Sequence, residues 1–188
     1  MREVAVIFHS SYGHTEILAS YAAEGVDSIG SVKAKLIAVD EVENYWGFIE
    51  EKADAIIFGT PTYMGGVSAA FKSFMDASVS QWGKWKDKLA GGFTVSASQS
   101  GDKLATLQQL SIFAAQHQMV WVSLGLMPGN NSTTSSPSDL NRLGSFLGAM
   151  AQANADQGKE GVTESDRLTA RHLGERIAES VCRWSNTR

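Results

Sequence analysis

The stretch VAVIFHSSYGHT, residues 4–15, decides the fold that we predict for this chain. Its first five residues are a continuous apolar run, which is typical of a strand buried on both faces of a parallel sheet. The apolar residues that follow, Ile17, Leu18, Tyr21 and Ala22, recur at helical spacing. A strand, a short polar loop and a helix therefore follow one another directly, as in the first half of a βαβ unit.

Strands and helices continue to alternate along the rest of the chain. The predicted strands are 4–8, 32–39, 55–59, 89–97 and 119–122, and the predicted helices are 13–29, 44–52, 68–80, 103–118 and 163–184. This alternation implies right-handed crossovers and a parallel sheet covered on both faces. We therefore predict one α/β domain over residues 1–188, with a flavodoxin-like, doubly wound five-stranded sheet of order 2-1-3-4-5. Segment 123–161 has the weakest pattern, and 140–153 fits either a helix or a coil. Thr163 is predicted to cap the last helix, with Asp166 completing a capping box.

The composition excludes several classes of protein. With 188 residues, of which 43% are hydrophobic and 19% charged, the chain is long enough for one folded domain and too apolar for a disordered chain. Its formal net charge of −4 disfavours nucleic acid as a partner. Because no apolar run has the length of a signal peptide or a membrane span, we expect a cytoplasmic protein without a membrane-spanning helix.

Cysteine and histidine are too few and too scattered to predict a metal site. Cys182 is the only cysteine, so the chain has no internal disulfide and no thiolate cluster. The four histidines, His9, His14, His117 and His172, lack the spacing of metal ligands. We predict no metal site, and the residues indicate no acid–base catalyst.

The loop after the first strand is one candidate binding site. Backbone N–H groups and the positive end of the following helix dipole attract a phosphate at such a place. Ser10, Ser11 and Thr15 add hydroxyl groups, and Gly13 allows a close approach to the backbone. No lysine or arginine lies in this loop, so dipoles and hydrogen bonds alone would neutralise the anion. From these residues, a phosphate site and an ordinary helix start are equally good interpretations.

The loop after the third strand, GTPTYMGG at 59–66, is a second candidate. Loops at the carboxyl ends of parallel strands hold the ligand in this architecture. Pro61 stiffens the turn, the glycines free the backbone, and Tyr63 and Met64 can line a planar heterocycle. A plain strand-to-helix turn is the alternative interpretation.

Together, the two loops resemble the flavodoxin-like family that includes the WrbA-type NAD(P)H:quinone oxidoreductases. The resemblance is carried by residues 10–15 and 57–62, with further matches at 88–90, at 117–120 and from Gly144 onward. It covers nearly the whole chain. The paired loops are specific for a flavoprotein that binds FMN and less specific for the reaction.

The resemblance implies which residues bind the cofactor. Residues 10–15 would hold the FMN phosphate, Thr62, Tyr63 and Met64 would line the isoalloxazine, and residues 96–101 would supply donors to the polar edge of the ring. The implied cofactor-binding residues are Ser10, Ser11, Tyr12, Gly13, His14, Thr15, Pro61, Thr62, Tyr63, Met64, Gly65, Ser96, Ala97, Ser98, Gln99, Ser100, Gly101, Gln116 and His117.

The resemblance also implies a substrate site and shows departures from the family pattern. Tyr12 falls where the family contacts the nicotinamide nucleotide, and Trp82 falls where an aromatic residue borders the substrate. Either Gln116 or His117 would reach the flavin, since the family often has two histidines there. The third loop has fewer glycines than usual, and Tyr63 replaces a commonly basic residue. These differences indicate a sister branch of the quinone reductases.

The function implied by the resemblance is that of an oxidoreductase. Hydride would pass from NAD(P)H through FMN to a quinone or a similar acceptor, with FMN as the cofactor and NAD(P)H as the co-substrate. The alternative is a flavodoxin-type electron carrier that binds FMN without its own NAD(P)H reductase activity. We also expect a homodimer or homotetramer, because the family commonly associates and because Phe71, Phe74 and Met75 form an apolar helix face.

Overall fold

Strands and helices alternate in the computed structural model, which describes residues 1–185. Residues 186–188 of the predicted domain lie outside the described part. The strands are β1 (Arg2–Phe8), β2 (Val32–Ala38), β3 (Ala53–Tyr63), β4 (Gly66–Val67), β5 (Leu89–Ser96), β6 (Val120–Trp121) and β7 (Ala149–Gln152). The helices are α1 (His14–Asp27), α2 (Trp46–Glu51), α3 (Ala69–Ala77), α4 (Lys103–Gln116) and α5 (Glu164–Ser185), with 3-10 turns at Val39–Asn44, Ser78–Gln81 and Lys159–Gly161.

The parallel strands form a sheet in the order β2-β1-β3-β5-β6, which confirms the predicted doubly wound topology. Their pairing runs in parallel register, from Arg2 against Val32 at one end of β1 to Phe8 against Ala38 at the other. All carboxyl ends therefore meet at one edge of the sheet, which we call the carboxyl edge. The starts of the strands form the opposite amino edge.

Two apolar layers cover the sheet. One layer is formed by α1 and α5, with Leu18 and Leu173 among its fully or almost fully buried residues. The other is formed by α2, α3 and α4 and contains a cluster of aromatic rings around Phe58. Phe71 and Phe74 of α3 are buried in this second layer. Because these side chains serve the core, the α3 residues that suggested an association surface give no support to an oligomer.

The third strand is longer than predicted. β3 continues through Pro61 to Tyr63, where a loop was expected, and pairs with the short antiparallel strand β4. Met64 and Gly65 both have positive φ, as in the two-residue turns that fit the twist of a β-hairpin. The predicted loop is therefore a hairpin that extends the sheet at the carboxyl edge.

The fifth position of the sheet is occupied by two separate segments. β6 pairs with the start of β5, and β7 pairs with its end. The chain between them, residues 122–148, leaves the sheet and returns, and the Trp121 indole N–H donates to the Leu147 carbonyl across the interruption at 2.9 Å. Segment 140–153, predicted as a helix or a coil, thus contains a strand. No helix within residues 1–185 is long and apolar enough to cross a membrane.

Candidate functional site

A cleft of about 280 Å³ opens at the carboxyl edge, between the ends of β1, β3 and β5. Its three walls are the first loop, the end of β3 and the end of β5, with Ala153 and Ala155 closing the side next to β7. The structure thus brings together three segments that are far apart in the sequence. The predicted residues that line the cleft are Ser10, Ser11, Tyr12, His14, Thr15, Pro61, Thr62, Tyr63, Ser96 and Ala97.

The first loop presents unpaired backbone donors. Helix α1 begins at His14 after Gly13, whose φ of +85° places it in the left-handed region that glycine tolerates. The Ser10 hydroxyl oxygen accepts hydrogen bonds from the N–H groups of Gly13 and Glu16, at 3.1 and 3.2 Å. Within the described residues, the N–H groups of His14 and Thr15 have no protein acceptor. These donors and the positive end of the helix dipole are available to an anion.

His14 fixes the position of this loop. Its Nε2 atom lies 2.8 Å from the carbonyl oxygens of both Gln157 and Gly158, to which an N–H at that position donates. The imidazole therefore ties the start of α1 to the segment before α5. His14 lines the cleft with its Nε2 bonded to backbone carbonyl oxygens, and its role as a cofactor-binding residue stays a prediction.

The second wall combines a buried hydroxyl cluster with an exposed rim. The Thr62 Oγ1 atom lies 2.8 Å from the hydroxyl oxygens of both Thr94 and Thr106. This hydroxyl is therefore occupied within the protein, although Thr62 lines the cleft. Tyr63 forms the rim, and its neighbour Met64, a predicted cofactor-binding residue that does not line the cleft, is fully exposed. Gly65 completes the turn beside them with a φ of +81°.

The third wall, residues 96–101, is held from below by a lysine that sequence analysis overlooked. Lys103 is 1% exposed, and its Nζ atom donates to Ser96 Oγ and to the carbonyl oxygens of Ser98 and Gln99, at 2.8 to 2.9 Å. At Gly101, φ is +53° and a Cβ would lie 2.0 Å from Ser96 Oγ, so only glycine fits. Of this loop, Ser96 and Ala97 line the cleft, Gln99 and Ser100 line a larger groove of about 730 Å³, and the predicted cofactor-binding residues Ser98 and Gly101 line neither.

Two further charged groups lie behind this wall. The carboxylate of Asp166 is 1% exposed and accepts both guanidinium hydrogen bonds of Arg142, at 2.7 and 2.9 Å. It also accepts from the Gln152 backbone N–H. The Thr163 hydroxyl caps α5 by accepting from the Asp166 N–H, as predicted, but the Asp166 carboxylate binds Arg142 and Gln152. Burial lowers the pKa of Lys103 to about 8, a change that Asp166 opposes and Arg142 reinforces.

The structure places Trp82, Gln116 and His117 away from this cleft. They line a pocket of about 260 Å³ near the amino edge, where the Trp82 indole N–H donates to the Gln116 carbonyl. The reason is topological: α4 begins at the carboxyl edge and runs back, so its last residues lie beside the start of β5. Within one chain, the expectation that these residues reach the flavin and its substrate is therefore not met.

His117 is instead a buried part of the aromatic layer. Its ring stacks on Trp85 with centroids 4.1 Å apart, and its Nε2 lies 2.9 Å from Ser78 Oγ. Since that hydroxyl donates to the Met75 carbonyl, His117 Nε2 is the donor of the pair and Nδ1 carries the lone pair. Burial lowers the pKa of His117 to about 4, which keeps the ring neutral at pH 7.

Known proteins with related sequences match this architecture. A family model described as NADPH-dependent FMN reductase matches residues 44–132. The chain is 40% identical over 184 residues to flavodoxin FldP of Pseudomonas aeruginosa, covering 95% of this chain and 96% of the relative. It is 31% identical over 205 residues to an NAD(P)H dehydrogenase (quinone) of Chromohalobacter salexigens, covering 97% and 98%. The solved structure of a WrbA-like flavodoxin from Agrobacterium tumefaciens aligns with a TM-score of 0.76 at 40% identity, covering 97% and 99%.

Proposed function

We propose that this chain, which belongs to the flavodoxin-like family of WrbA-type FMN proteins, is an NAD(P)H-dependent oxidoreductase that uses FMN to reduce a quinone or a similar acceptor. The observation that carries the proposal is the cleft at the carboxyl edge. The unpaired N–H groups of His14 and Thr15 belong to a cleft that Tyr63 and the start of the polar loop, Ser96 and Ala97, also line.

The chemical groups of the cleft fit FMN. A phosphate suits the start of α1, where backbone N–H groups and a helix dipole are free and where Ser10, Ser11 and Thr15 supply hydroxyl groups. A planar ring suits the walls formed by Tyr12 and Tyr63, both of which are exposed. The N–H groups of loop 96–101 suit the polar edge of the isoalloxazine. No buried unpaired carboxylate lies among the lining residues to repel an anion.

The protein's part in the reaction is binding and orientation. Bound FMN supplies the redox chemistry, by accepting a hydride from one substrate and delivering two electrons to the next. The first loop anchors the phosphate, and loop 96–101 fixes the ring and stabilises negative charge at its polar edge. Tyr12 and Tyr63 at the rim form the aromatic boundary against which a nicotinamide or a quinone ring is held for hydride transfer.

A one-electron carrier is the second candidate function. The similarity to flavodoxin FldP, at 40% identity over 95% of the chain, supports it. A carrier needs only an accessible flavin edge for a protein partner, whereas a reductase needs room above the ring for a second flat molecule.

Anaerobic stopped-flow reduction separates the two functions. The FMN-loaded protein is mixed with NADH and, separately, with NADPH, and the flavin absorbance is followed. Rapid and complete bleaching with either nucleotide supports the reductase. A flavin that stays oxidised with both would overturn it in favour of the carrier.

A matched pair of variants tests the phosphate site. Thr15→Val removes a hydroxyl from the cleft, and we expect it to weaken FMN binding to the apoprotein by about 1 kcal/mol, the scale of one hydrogen bond. Ser20→Ala removes a hydroxyl farther along α1 and is expected to leave the affinity unchanged. Equal affinities in a calorimetric titration would remove the first loop from the site.

We further infer that the protein acts in the cytoplasm as a homodimer or homotetramer with two-fold interfaces. Light scattering at micromolar concentration tests the assembly. A stable species near the chain mass of 20.2 kDa would exclude it.

A further inference from the structure

Lys103 is a buried charge beside the cleft that the proposed function leaves without a role. It is the first residue of α4 and is almost completely excluded from solvent. A lysine at this position meets the positive end of its own helix dipole, which disfavours the ammonium. Burial disfavours the charged form as well. A hydrophobic residue would avoid both costs, so the contacts of Lys103 call for an explanation.

The three contacts of Lys103 match an ammonium group. An ammonium has three N–H donors and no acceptor, and Nζ has three acceptors: Ser96 Oγ and the carbonyl oxygens of Ser98 and Gln99. The Ser96 hydroxyl donates to the Ser98 carbonyl, so its oxygen is free to accept from Lys103. A neutral amine has one donor fewer and would turn a lone pair towards one of these acceptors. Loss of the proton therefore releases part of the loop.

The same contacts determine where the loop directs its N–H groups. In a trans peptide, the C=O and the N–H point in opposite directions, and the described chain contains no cis peptide bond. With the carbonyls of Ser98 and Gln99 turned towards Lys103, the N–H groups of Gln99 and Ser100 point away from it. Neither N–H has a protein acceptor within residues 1–185. Lys103 thus holds the loop with two adjacent donors pointing away from it, in the part of the loop that lines the larger groove beside the cleft.

The surroundings leave the charge of Lys103 only partly compensated. From α5, Asp166 attracts the ammonium, while Arg142 of the segment between β6 and β7 repels it and also occupies both oxygens of Asp166. Asp102, the neighbour in the chain, is exposed to solvent. The cleft itself holds the ionisable residues Tyr12, Tyr63 and His14. A bound anion would supply the negative charge that the protein provides incompletely.

We propose that Lys103 is a positioning residue for the flavin nucleotide, which holds loop 96–101 in its binding conformation through three hydrogen bonds. The inference rests on the proposed function in that the anion is FMN. It adds that the affinity for FMN depends on a proton of the Lys103 ammonium group, which lies behind the loop and outside the cleft.

The proposal makes the protein's stability and its affinity for FMN change in opposite directions with pH. Because the pKa of Lys103 is about 8 in the folded chain and 10.5 ordinarily, the unfolded chain binds more protons between these values, and the apoprotein gains stability as pH rises through this window. Affinity for FMN falls over the same window, because the neutral amine releases the loop. If FMN raises this pKa by one unit, the affinity changes about tenfold.

The test is the dissociation constant of FMN measured by fluorescence quenching at pH 7.5 and pH 9.5. In the native chain we expect the constant to rise about sixfold over this range, most of the tenfold limit. Lys103→Met should weaken binding at least about tenfold at pH 7.5 and abolish the pH dependence. Lys103→Arg, which keeps its charge, should bind at pH 7.5 and lack the alkaline loss. The matched control is Lys88→Met, since Lys88 is a half-buried lysine of lowered pKa at the amino edge; it should behave as the native chain does.

Each outcome decides the inference. A dissociation constant that is independent of pH in the native chain overturns it while leaving FMN binding intact, and this measurement needs no variant to fold. A Tyr12→Phe, Tyr63→Phe double variant should retain the alkaline loss; its disappearance would assign the effect to the cleft tyrosines and overturn the role of Lys103. Absence of FMN binding at every pH would refute the proposed function itself, and this inference with it.

Discussion

Strand β5 has a half-buried lysine immediately before its first residue and a fully buried one shortly after its last, and the two have different surroundings. Lys88, at the amino edge, donates to the carbonyl oxygens of Glu50 and Ala53, close to the end of α2. The negative end of that helix dipole and the nearby Asp54 support the ammonium, although burial still lowers its pKa. Lys103, at the carboxyl edge, meets the opposite end of a helix dipole and an arginine.

The difference separates a structural lysine from one that is prepared for a ligand. Lys88 links the end of α2 to the start of β3 through two carbonyl oxygens, and the carboxylates of Asp54 and Glu50 compensate its charge within the protein. Lys103 holds a loop whose outward N–H groups remain unpaired. Loss of solvent lowers the pKa of both residues, although Lys103 is fully buried and Lys88 only half-buried, so a lowered pKa does not distinguish them. The sign of the helix dipole and the pairing of the groups beyond the lysine do.

The largest expected effect comes from removing the carboxylate behind Lys103. Asp166→Asn leaves Arg142 without its buried partner and Lys103 without its counter-charge, so we expect a loss of about 3 to 5 kcal/mol in the free energy of unfolding. Asp54→Asn, the corresponding change at the amino edge, removes a partly exposed partner of Arg2 and should cost about 1 kcal/mol. Urea unfolding at pH 7.5 measures both. Equal losses in the free energy of unfolding would show that the carboxylates at the two edges contribute equally to stability.

The second effect is a loss of stability in acid that His117, near the amino edge, should cause. His117 has a folded pKa of about 4, below the ordinary 6.5, so the unfolded chain binds the extra proton first as pH falls. Stability should therefore decline between pH 6.5 and pH 4, with His117 responsible for about 3 kcal/mol of the total. We expect His117→Leu to remove this share of the decline in the urea midpoint. An unchanged slope in the variant would show that other groups cause it.

A pair of glycine substitutions compares the two edges at smaller cost. Gly101 and Gly83 both have positive φ, but a Cβ at Gly101 would strike Ser96 whereas a Cβ at Gly83 meets nothing within 4 Å. Gly101→Ala should cost about 2 kcal/mol of stability and also weaken FMN binding, and Gly83→Ala about 1 kcal/mol without affecting FMN. Thermal unfolding and flavin titration measure the two quantities. If Gly83→Ala weakens FMN binding as much, loop 96–101 has no special role.

The smallest effect concerns two residues that have strained backbone conformations without being glycine. Met64 at the carboxyl edge and Gln118 at the amino edge have φ of 49° and 60°. Replacing either by glycine should stabilise the apoprotein by about 0.5 kcal/mol, since relief of strain slightly exceeds the entropy gained by the unfolded chain. Only Met64→Gly should alter FMN affinity, because only Met64 is next to a residue that lines the cleft, Tyr63. Destabilisation by both would show that the side chains contribute contacts.

The order of the sheet and the position of the cleft followed from local pattern, because apolar runs and polar loops at strand ends are signals within a few residues. The end of β3 was missed because Pro61 and the glycines are typical of a loop, although they form a hairpin. Strand β7 was missed because the run Ala-Met-Ala-Gln at 149–152 has no β-branched residue.

The residues around the third loop were missed for a different reason. A lysine at a helix start is ordinarily solvated, and nothing local in the sequence shows that the turn at Gly101 and Asp102 folds it beneath its own loop. The distance of Trp82, Gln116 and His117 from the cleft was foreseeable. Residues at the carboxyl end of a crossover helix lie at the edge of the sheet opposite the binding loops.

The interrupted fifth strand gives the molecule a place where the length of the chain can vary. The entropy of closing the excursion 122–148 grows only with the logarithm of its length, so the length-dependent part is about 3 kcal/mol and halving or doubling the segment changes it by about 0.6 kcal/mol. β6 and β7 each pair with β5 independently, so insertions between them need not disturb the ladder. The segment 122–148 is therefore a suitable place to insert new residues beside the larger groove. The fluorescence of Trp121, whose indole N–H bonds to the Leu147 carbonyl, would report whether β6 and the residues before β7 remain in contact.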